Sequence, residues 1–312
     1  MSDFAGFLSG KIDDYVRLRR SLGYDFRAQA AVLTAFSRFI RLTGTTGPLT
    51  RNLAIEFVLS RGVTANVRAR RHGVLLRFAE YLSIFDPGTE RLDPKALPRS
   101  RAIPPPRILD EDELGRLLSA ARDGSPLHPL RGKTLYTMLG LLASTGLRSG
   151  EGLRLDRADV DLARGLLQIR RTKFRKDRLV PVHPTTCEAL RAYALARDLA
   201  FPRPQSPAFF LSLRGVRLSA SGFDEAFAQA RARARLDGGT PRVLRAHDLR
   251  HRFAVTRLVT WYRAGVDVQA RLPLLATYLG HVRYSDTAYY VTGTADLLGV
   301  VADRTFPERG AS

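Results

Sequence analysis

The stretch Thr134–Glu151, TLYTMLGLLASTGLRSGE, decides much of the fold. Its first eleven residues are nearly all apolar, which predicts a buried helix, and Gly146 follows where that helix would end. Arg148 comes directly after this break and is well placed to point into a cleft. Glu151 lies three positions further on, so it could brace the guanidinium on the same helical turn. A surface Arg–Glu pair would explain this spacing equally well.

Downstream of this stretch the sequence predicts two short strands, residues 165–171 and 178–182, that form a hairpin. Their connection, residues 172–177, is polar and strongly basic. Lys173 in this connection is notable because only five of the 50 basic residues are lysines. A lysine can release a proton, unlike an arginine, and can therefore act as a general acid. Lys176 is a rival in the same turn, and a solvated turn lysine is the alternative. Three further helices are predicted at residues 184–200, 220–236 and 248–265.

The composition points to a polyanionic partner. The chain of 312 residues carries a formal charge of +20 and has a pI near 11.0. Since phosphate neutralisation supplies much of the affinity for nucleic acid, DNA or RNA is the leading candidate, and a merely soluble basic surface is the alternative. The single cysteine excludes an intrachain disulfide, and no apolar run approaches the length of a membrane span. No signal peptide is recognisable, so a cytoplasmic protein is expected.

The N-terminal part, residues 1–92, predicts a small four-helix unit, with apolar residues at helical spacing as in residues 31–40. The helix from Thr64 to about Phe85 is basic, and we interpret it as a nucleic-acid contact rather than an ordinary solvated face. Its candidate contact residues are Arg68, Arg70, Arg71 and Arg77. Prolines then break the helical pattern. The predicted organisation is a helical domain at 1–92, a Pro-rich linker at 93–107 and a second domain at 108–312.

Two histidines and an arginine fall close together near residue 250. His247 and Arg250 are three positions apart, so they share one face of a helix. His247 and His251 have the spacing of metal ligands, but Asp248 stands where a metalloprotease needs glutamate, and no third ligand follows. We therefore predict no metal site. A histidine with an arginine suits a phosphate group better, because the arginine neutralises oxygens and the histidine exchanges protons.

The segment 278–290, YLGHVRYSDTAYY, supplies a further histidine and several tyrosines. His281 and Tyr290 are nine residues apart, which is half a turn out of phase on one continuous helix. A new helix capped by Ser285 or Asp286 would let both reach one site. Aromatic packing is the alternative role of the tyrosines.

Taken together, these residues suit attack on a phosphodiester without a metal. Two arginines would stabilise the charge on the pentacoordinate phosphorus. A tyrosine would be the nucleophile once its proton is removed, and a lysine would protonate the departing oxygen.

These motifs resemble the tyrosine recombinase (phage integrase) family in order and in approximate spacing. The similar elements are TGLRSGE at 145–151, Lys173 in the hairpin, HDLR at 247–250, LGH at 279–281 and Tyr290. Residues 108–295 resemble the catalytic domain, and residues 1–92 more loosely resemble the helical core-binding domain. The resemblance implies a mainly α fold, with a small β-sheet or hairpin in an α+β catalytic domain. The C-terminal part is most similar to recombinases of transposons and integrative elements.

The resemblance assigns the phosphate-binding side of the site. Arg148 and Arg250 would clamp the scissile phosphate, while His247 and His281 would hydrogen-bond it and assist proton transfer. Glu151 would be a structural support.

It also assigns the nucleophile and the acid. Tyr290 would form a 3′-phosphotyrosyl bond, and Lys173 would protonate the 5′-hydroxyl leaving group. Tyr289 and Tyr284 are nearby rivals, but the nine-residue interval from His281 favours Tyr290. Because the phosphotyrosyl bond keeps the energy of the phosphodiester, no ATP, metal or other cofactor is implied.

The implied partner is double-stranded DNA with specific recombination sites, bound at the nucleoid. Further candidate DNA contacts lie in and beside the basic turn: Arg170, Arg175 and Lys176. The implied assembly is a homotetramer, or a tetramer with a related recombinase. The C-terminal segment of each protomer would dock on a neighbouring protomer or pack against its own. The implied outcome is DNA integration, excision or transposition. Two alternatives are a catalytically silent DNA-binding subunit and a relaxing enzyme of the type IB topoisomerase kind.

Overall fold

A computed structural model describes residues 4–60, 64–97, 107–124, 127–170, 177–238, 243–281 and 287. The chain divides into two compact units, Met1–Ile103 and Pro104–Ser312. The division falls inside the segment 93–107 for which the sequence predicts a linker. Among the described residues, no helix combines the length and the apolar character that crossing a membrane requires.

The first unit contains four helices in the part of the chain that the structure describes, as predicted. They are α1 (Phe4–Ser21), α2 (Arg27–Thr43), α3 (Arg51–Leu59) and α4 (Ala65–Leu82). Thr50 caps α3 by accepting a hydrogen bond from the Leu53 amide (3.2 Å). Thr64 precedes α4 without such a bond, and α4 ends three residues before the predicted Phe85. Fully buried apolar side chains from all four helices form one core, including Leu8, Leu33, Phe36, Val58 and Phe78.

The second unit combines seven described helices with a small sheet. The helices are α5 (Glu111–Asp123), α6 (Pro129–Thr145), α7 (Ser149–Arg154), α8 (Pro184–Ala200), α9 (Ala220–Arg233), α10 (Ala246–Arg263) and α11 (Val268–Leu279). A 3-10 turn at Arg157–Asp159 leads into the sheet. The apolar helix predicted from Thr134 is α6, and most of its side chains are buried in the core of the unit.

The sheet contains the predicted hairpin and one strand that the sequence does not predict. β2 (Leu166–Ile169) pairs with β3 (Arg178–Pro181) in antiparallel fashion, with Leu167 opposite Val180. β1 (Val160–Asp161) adds to the other edge of β2. With two residues, β1 is too short to show a periodic pattern in the sequence.

In this unit two helices have bounds that differ from the prediction, and one helix is not predicted. The helix predicted to reach Leu236 ends at Arg233, and Arg235 adopts a left-handed conformation (φ 56°). The helix predicted from Asp248 begins at Ala246, because the Asp248 carboxylate accepts a hydrogen bond from the Arg245 amide (2.8 Å). The sequence predicts no helix at 268–279, where Pro273 lies inside α11.

Candidate active site at the end of helix α11

The C-terminus of α11 has a closely defined geometry. Gly280 takes a left-handed conformation (φ 68°). Its amide donates to the Thr277 carbonyl (3.0 Å), and the His281 amide donates to the Ala276 carbonyl (2.9 Å). This is the Schellman arrangement, which satisfies the carbonyls of Ala276 and Thr277. The next three carbonyls, of Tyr278, Leu279 and Gly280, need other donors.

Three arginines from three different elements supply those donors. Arg178 on β3 donates from Nε to the Tyr278 carbonyl (2.9 Å). Arg250 on α10 donates from Nη2 to the Leu279 carbonyl (2.7 Å), and Arg148, just before α7, donates from Nη2 to the Gly280 carbonyl (3.3 Å). The negative end of the α11 dipole favours this concentration of positive charge. The end of α11 therefore brings together groups that are far apart in sequence.

Arg250 is the most deeply buried of the three, with 1% of its surface exposed. Besides the end of α11, it also contacts the end of α6, where its Nη1 donates to the Gly146 carbonyl (2.7 Å). Gly146 ends α6 as predicted and has a φ of 63°. A Cβ at this position would lie 2.6 Å from the Phe253 ring, so the close approach of α6 to α10 also requires glycine. From its buried position, Arg250 thus connects the C-terminal ends of α6 and α11.

Glu151 is buried and binds two of the arginines. Its carboxylate accepts from Arg148 Nη1 (2.9 Å) and from the Arg148 amide (3.0 Å), which is the predicted brace. It also accepts a fork of two bonds from Arg178, of 3.1 and 3.0 Å. Burial alone would raise the pKa of Glu151, but the hydrogen bonds and charges of Arg178 and Arg148 outweigh it and lower the pKa to about 2.

His247 lies in the first turn of α10 and stacks edge-on against His251, with ring centroids 4.8 Å apart. Desolvation, followed by the charges of Arg250 and Arg148, lowers the pKa of His247 to about 4. The residue is exposed at the surface, so its desolvation is incomplete. The two guanidinium charges act in the same direction and secure the sign of the shift. His247 is therefore neutral at pH 7.

His281 follows Gly280 and lies beside the same charges. Burial, then the charges of Arg250 and Arg148, lower the pKa of His281 to about 3. A hydrogen bond joins His281 Nδ1 to the hydroxyl of Thr287 (2.7 Å), whose residue is fully buried. This contact fixes the plane of the imidazole and leaves Nε2 on the opposite side of the ring.

The described geometry therefore connects five of the predicted residues. Arg148 and Arg250 bind carbonyls at the end of α11, and Glu151 binds Arg148. The charges of Arg250 and Arg148 contribute to the lowered pKa of both His247 and His281. Among the residues the structure describes, no group of three His, Cys, Asp or Glu side chains could hold a metal ion.

Four other predicted site residues lie outside the described residues. They are the nucleophile Tyr290, the general acid Lys173 and the DNA-contact candidates Arg175 and Lys176. The rival tyrosines and the C-terminal docking segment lie outside them as well. These assignments stay predictions.

The remaining DNA-contact candidates lie on described elements. On α4, Arg70 and Arg77 are exposed, while Arg68 and Arg71 are half-buried. Directly after β2, the Arg170 side chain is half exposed and pairs with Asp159 (2.7 Å). Its charge is therefore partly neutralised within the protein.

Sequence reasoning misses two residues of the site. Arg178 directly follows the basic turn and begins β3. Its partner Glu151 is 27 positions away, so no local spacing reveals the pair. Thr287 lies within the tyrosine-rich segment 278–290, and a threonine gives no distinctive signal by itself.

Comparison with known proteins decides the family. Residues 107–296 match the model of the Phage integrase family. The chain is 58% identical to the putative integrase/recombinase y4rE of Sinorhizobium fredii over all 312 residues, with complete coverage of both chains. The chain belongs to the phage integrase family. The matched region of this integrase-family chain contains Arg148, Glu151, His247, Arg250 and His281.

Other relatives agree with this membership. The tyrosine recombinase XerC of Herpetosiphon aurantiacus is 32% identical over 289 residues, covering 88% of this chain and 87% of the relative. The Tn1549 transposon integrase, solved in complex with transposon right end DNA, shares the fold with a TM-score of 0.67 and 17% identity, over 95% of this chain and 98% of that chain. The resemblance and the mainly α fold class inferred from the sequence are confirmed.

Proposed function

We propose that this phage-integrase-family chain is a site-specific DNA recombinase that cleaves and rejoins strands through a 3′-phosphotyrosyl bond at Tyr290. The observation that carries the proposal is the convergence of Arg148, Arg250 and His281 at the end of α11. Two guanidinium groups and neutral imidazoles at one point form a site for the charge that develops on a phosphodiester under attack.

The cleavage step moves one proton at each end of the reacting bond. Tyr290 Oη attacks the phosphorus, the bond to the 5′ oxygen breaks, and Lys173 gives that oxygen a proton. His247 and His281, neutral at pH 7, can hydrogen-bond a phosphate oxygen. A bound phosphate would offset the arginine charges that lower the pKa of both imidazoles, and this is what proton transfer from the tyrosine to a histidine requires.

The two arginines differ in exposure and therefore in how they would act on the phosphate. The Arg148 side chain is 33% exposed, so it can contact a phosphate that approaches from solvent. Arg250 is buried, and the low dielectric around it strengthens the positive potential that it adds at the same place. Rejoining reverses the step with a new 5′-hydroxyl as nucleophile, so the cycle needs neither ATP nor a metal.

We further propose double-stranded DNA with specific sites as the partner, bound by a tetramer of this chain or of this chain with a related recombinase. The net charge of +20 supports a polyanionic partner. Solved structures of the same fold include XerH bound to a palindromic difH substrate and a lambda integrase dimer bound to a core site. With the Tn1549 transposon integrase, they support a role in moving DNA, through integration, excision or transposition.

A covalent-trapping experiment tests the proposal. The protein is incubated in EDTA, without ATP, with nicked suicide duplexes made from the DNA that flanks its own gene. A protease-sensitive shifted band on a denaturing gel is expected, and Tyr290→Phe should abolish the band while Tyr289→Phe preserves it. Tight binding without any band would instead identify a catalytically silent DNA-binding subunit. A band that forms equally on any DNA would indicate a relaxing enzyme.

A further inference from the structure

Arg178 has more contacts within the protein than a surface arginine of a basic turn would have. It is the first residue of β3, and its side chain is only 12% exposed. Three of its five N–H groups are committed, two to Glu151 and one to the Tyr278 carbonyl. A side chain bound in this way is poorly placed to contact the phosphates of DNA.

The guanidinium of Arg178 also packs against the backbone at the end of α11. A Cβ built on Gly280 would lie 2.8 Å from Arg178 Nη1 and 3.0 Å from Cζ, so the group rests directly on the glycine. Gly280 directly precedes His281 and offers its own carbonyl to Arg148. Arg178 therefore touches the backbone that positions two members of the site.

Glu151 links Arg178 to Arg148. The same carboxylate receives the fork from Arg178 and the bonds from Arg148, and its side chain is only 2% exposed. One buried carboxylate between two guanidiniums is oriented by both of them, and a planar fork fixes its plane in a way that a single ammonium donor cannot. The position of Arg148 consequently depends on Arg178, and this dependence is indirect because both arginines donate to the same carboxylate.

We propose that Arg178 is a positioning residue for DNA cleavage: it fixes Glu151, and through it Arg148, against the end of α11. This inference rests on the proposed recombinase function. Arg178 acts on the rate of the chemical step rather than on the affinity for DNA.

The first test separates binding from cleavage. Arg178→Lys keeps a positive charge beside Glu151 but loses the fork. We expect its affinity for the nicked duplex to stay within about twofold of the wild type, because lysine preserves the charge that phosphates attract. Single-turnover formation of the covalent complex should slow by about 100-fold, the cost of a small misplacement of a catalytic group. Arg164→Lys is the matched control, since Arg164 is 80% exposed in the β1–β2 turn, and it should behave as the wild type.

The second test asks whether Arg178 acts through Glu151. Glu151→Gln, Arg178→Gln and the double variant form a cycle. Arg178→Gln leaves Glu151 paired with Arg148 alone, and the double variant replaces that carboxylate by an amide. Urea unfolding of the three variants shows that each is folded under the conditions in which its cleavage is measured. If the two residues act as one unit, the double variant cleaves no more than about threefold slower than Glu151→Gln.

The outcomes are distinguishable from failure of the proposed function. If the wild type forms no covalent complex, the proposed recombinase function fails and the role of Arg178 with it. If the wild type cleaves and Arg178→Lys cleaves at the same rate, Arg178 is not a positioning residue. Multiplicative losses in the double variant would likewise overturn the inference, because they would mean that Arg178 acts independently of Glu151.

Discussion

At the scale of single residues, Glu151 is the group on which most of the site depends. Its folded-state pKa of about 2 lies below the ordinary value of 4.5. Between these pH values the unfolded chain binds a proton that the folded chain does not. The stabilisation from Glu151 is therefore complete above pH 4.5 and is lost as the pH falls through about 2.

This linkage predicts the behaviour of Glu151→Gln. At pH 7 the substitution leaves two arginines without their carboxylate and should lower the free energy of unfolding by about 3 kcal/mol. The difference from the wild type should narrow once the pH falls below 4.5, because the wild type then loses the same interaction. Urea unfolding at a series of pH values measures this difference. Glu188→Gln, at an exposed carboxylate of the same unit, should change stability little at any pH. A pH-independent difference for Glu151→Gln would show that the ionised carboxylate of Glu151 does not stabilise the fold.

Thr287 carries a second prediction at this scale. Its hydroxyl is 2.7 Å from His281 Nδ1, so Thr287→Val removes the bond that orients the imidazole with little change of shape. Loss of one such bond should slow covalent-complex formation by about tenfold without weakening DNA binding. Thr287→Ser keeps the hydroxyl and should retain most of the rate. Equal rates for the valine variant and the wild type would show that this contact does not serve cleavage.

The sequence predicts these residues unevenly. The Arg148–Glu151 pair is predictable because a three-residue spacing brings side chains together on one turn, whatever the rest of the fold does. Arg178 is not, because its contacts with Glu151 and Tyr278 are 27 and 100 residues away and form only after the sheet packs beside α11. The contacts of an arginine can therefore be predicted from the sequence when its partner is within one helical turn, as for Arg148, and not when its partners are distant in sequence, as for Arg178.

At the scale of elements, the glycine that ends α11 has two separate reasons to be glycine. Gly280 has a φ of 68°, and a Cβ there would approach the Arg178 guanidinium to 2.8 Å. Gly280→Ala should therefore cost about 1–2 kcal/mol of stability. Gly140→Ala is the matched control, because Gly140 lies inside α6 and a Cβ built there would meet nothing within 4 Å. That variant should be neutral or slightly stabilising. Chemical denaturation compares the two, and equal effects would contradict the geometry.

Helix α4 carries the prediction about DNA contacts. Arg70 and Arg77 are exposed and lie seven residues apart, so they share one face of the helix. Replacing both by glutamine should weaken DNA binding and reduce the slope of log K against log salt by about 1.8, or 0.9 for each lost phosphate contact. Arg20→Gln, at an exposed position at the end of α1, is the control. An unchanged slope in the double variant would remove α4 from the interface.

Elements with strong local signals are predictable and those without are not. The apolar run of α6, ended by a glycine, and the hairpin strands on either side of a basic turn are both predicted correctly. α11 is missed because Pro273 inside it signals a break, although the helix continues past it. Gly280 at its end is a local signal of a helix terminus, as Gly146 is for α6, but the signal is informative only where a helix is predicted before it.

At the scale of the whole molecule, the positive charge is distributed over both compact units. The first unit, Met1–Ile103, has its own core of fully buried side chains, so a fragment of residues 1–103 should fold alone and bind DNA in a salt-dependent way. Circular dichroism should show a cooperative thermal transition for this fragment. A fragment that melts without cooperativity would mean that the first unit depends on the second for its stability.

The most direct test of the central claim is to identify the residue that becomes attached to DNA. Trapped complexes would be digested with nuclease and protease, and the modified peptide sequenced by mass spectrometry. We expect one nucleotide-linked tyrosine, Tyr290, formed in EDTA and lost in variants that remove the guanidinium of Arg148. Attachment through Tyr289 or Tyr284, or through a residue other than tyrosine, would contradict it.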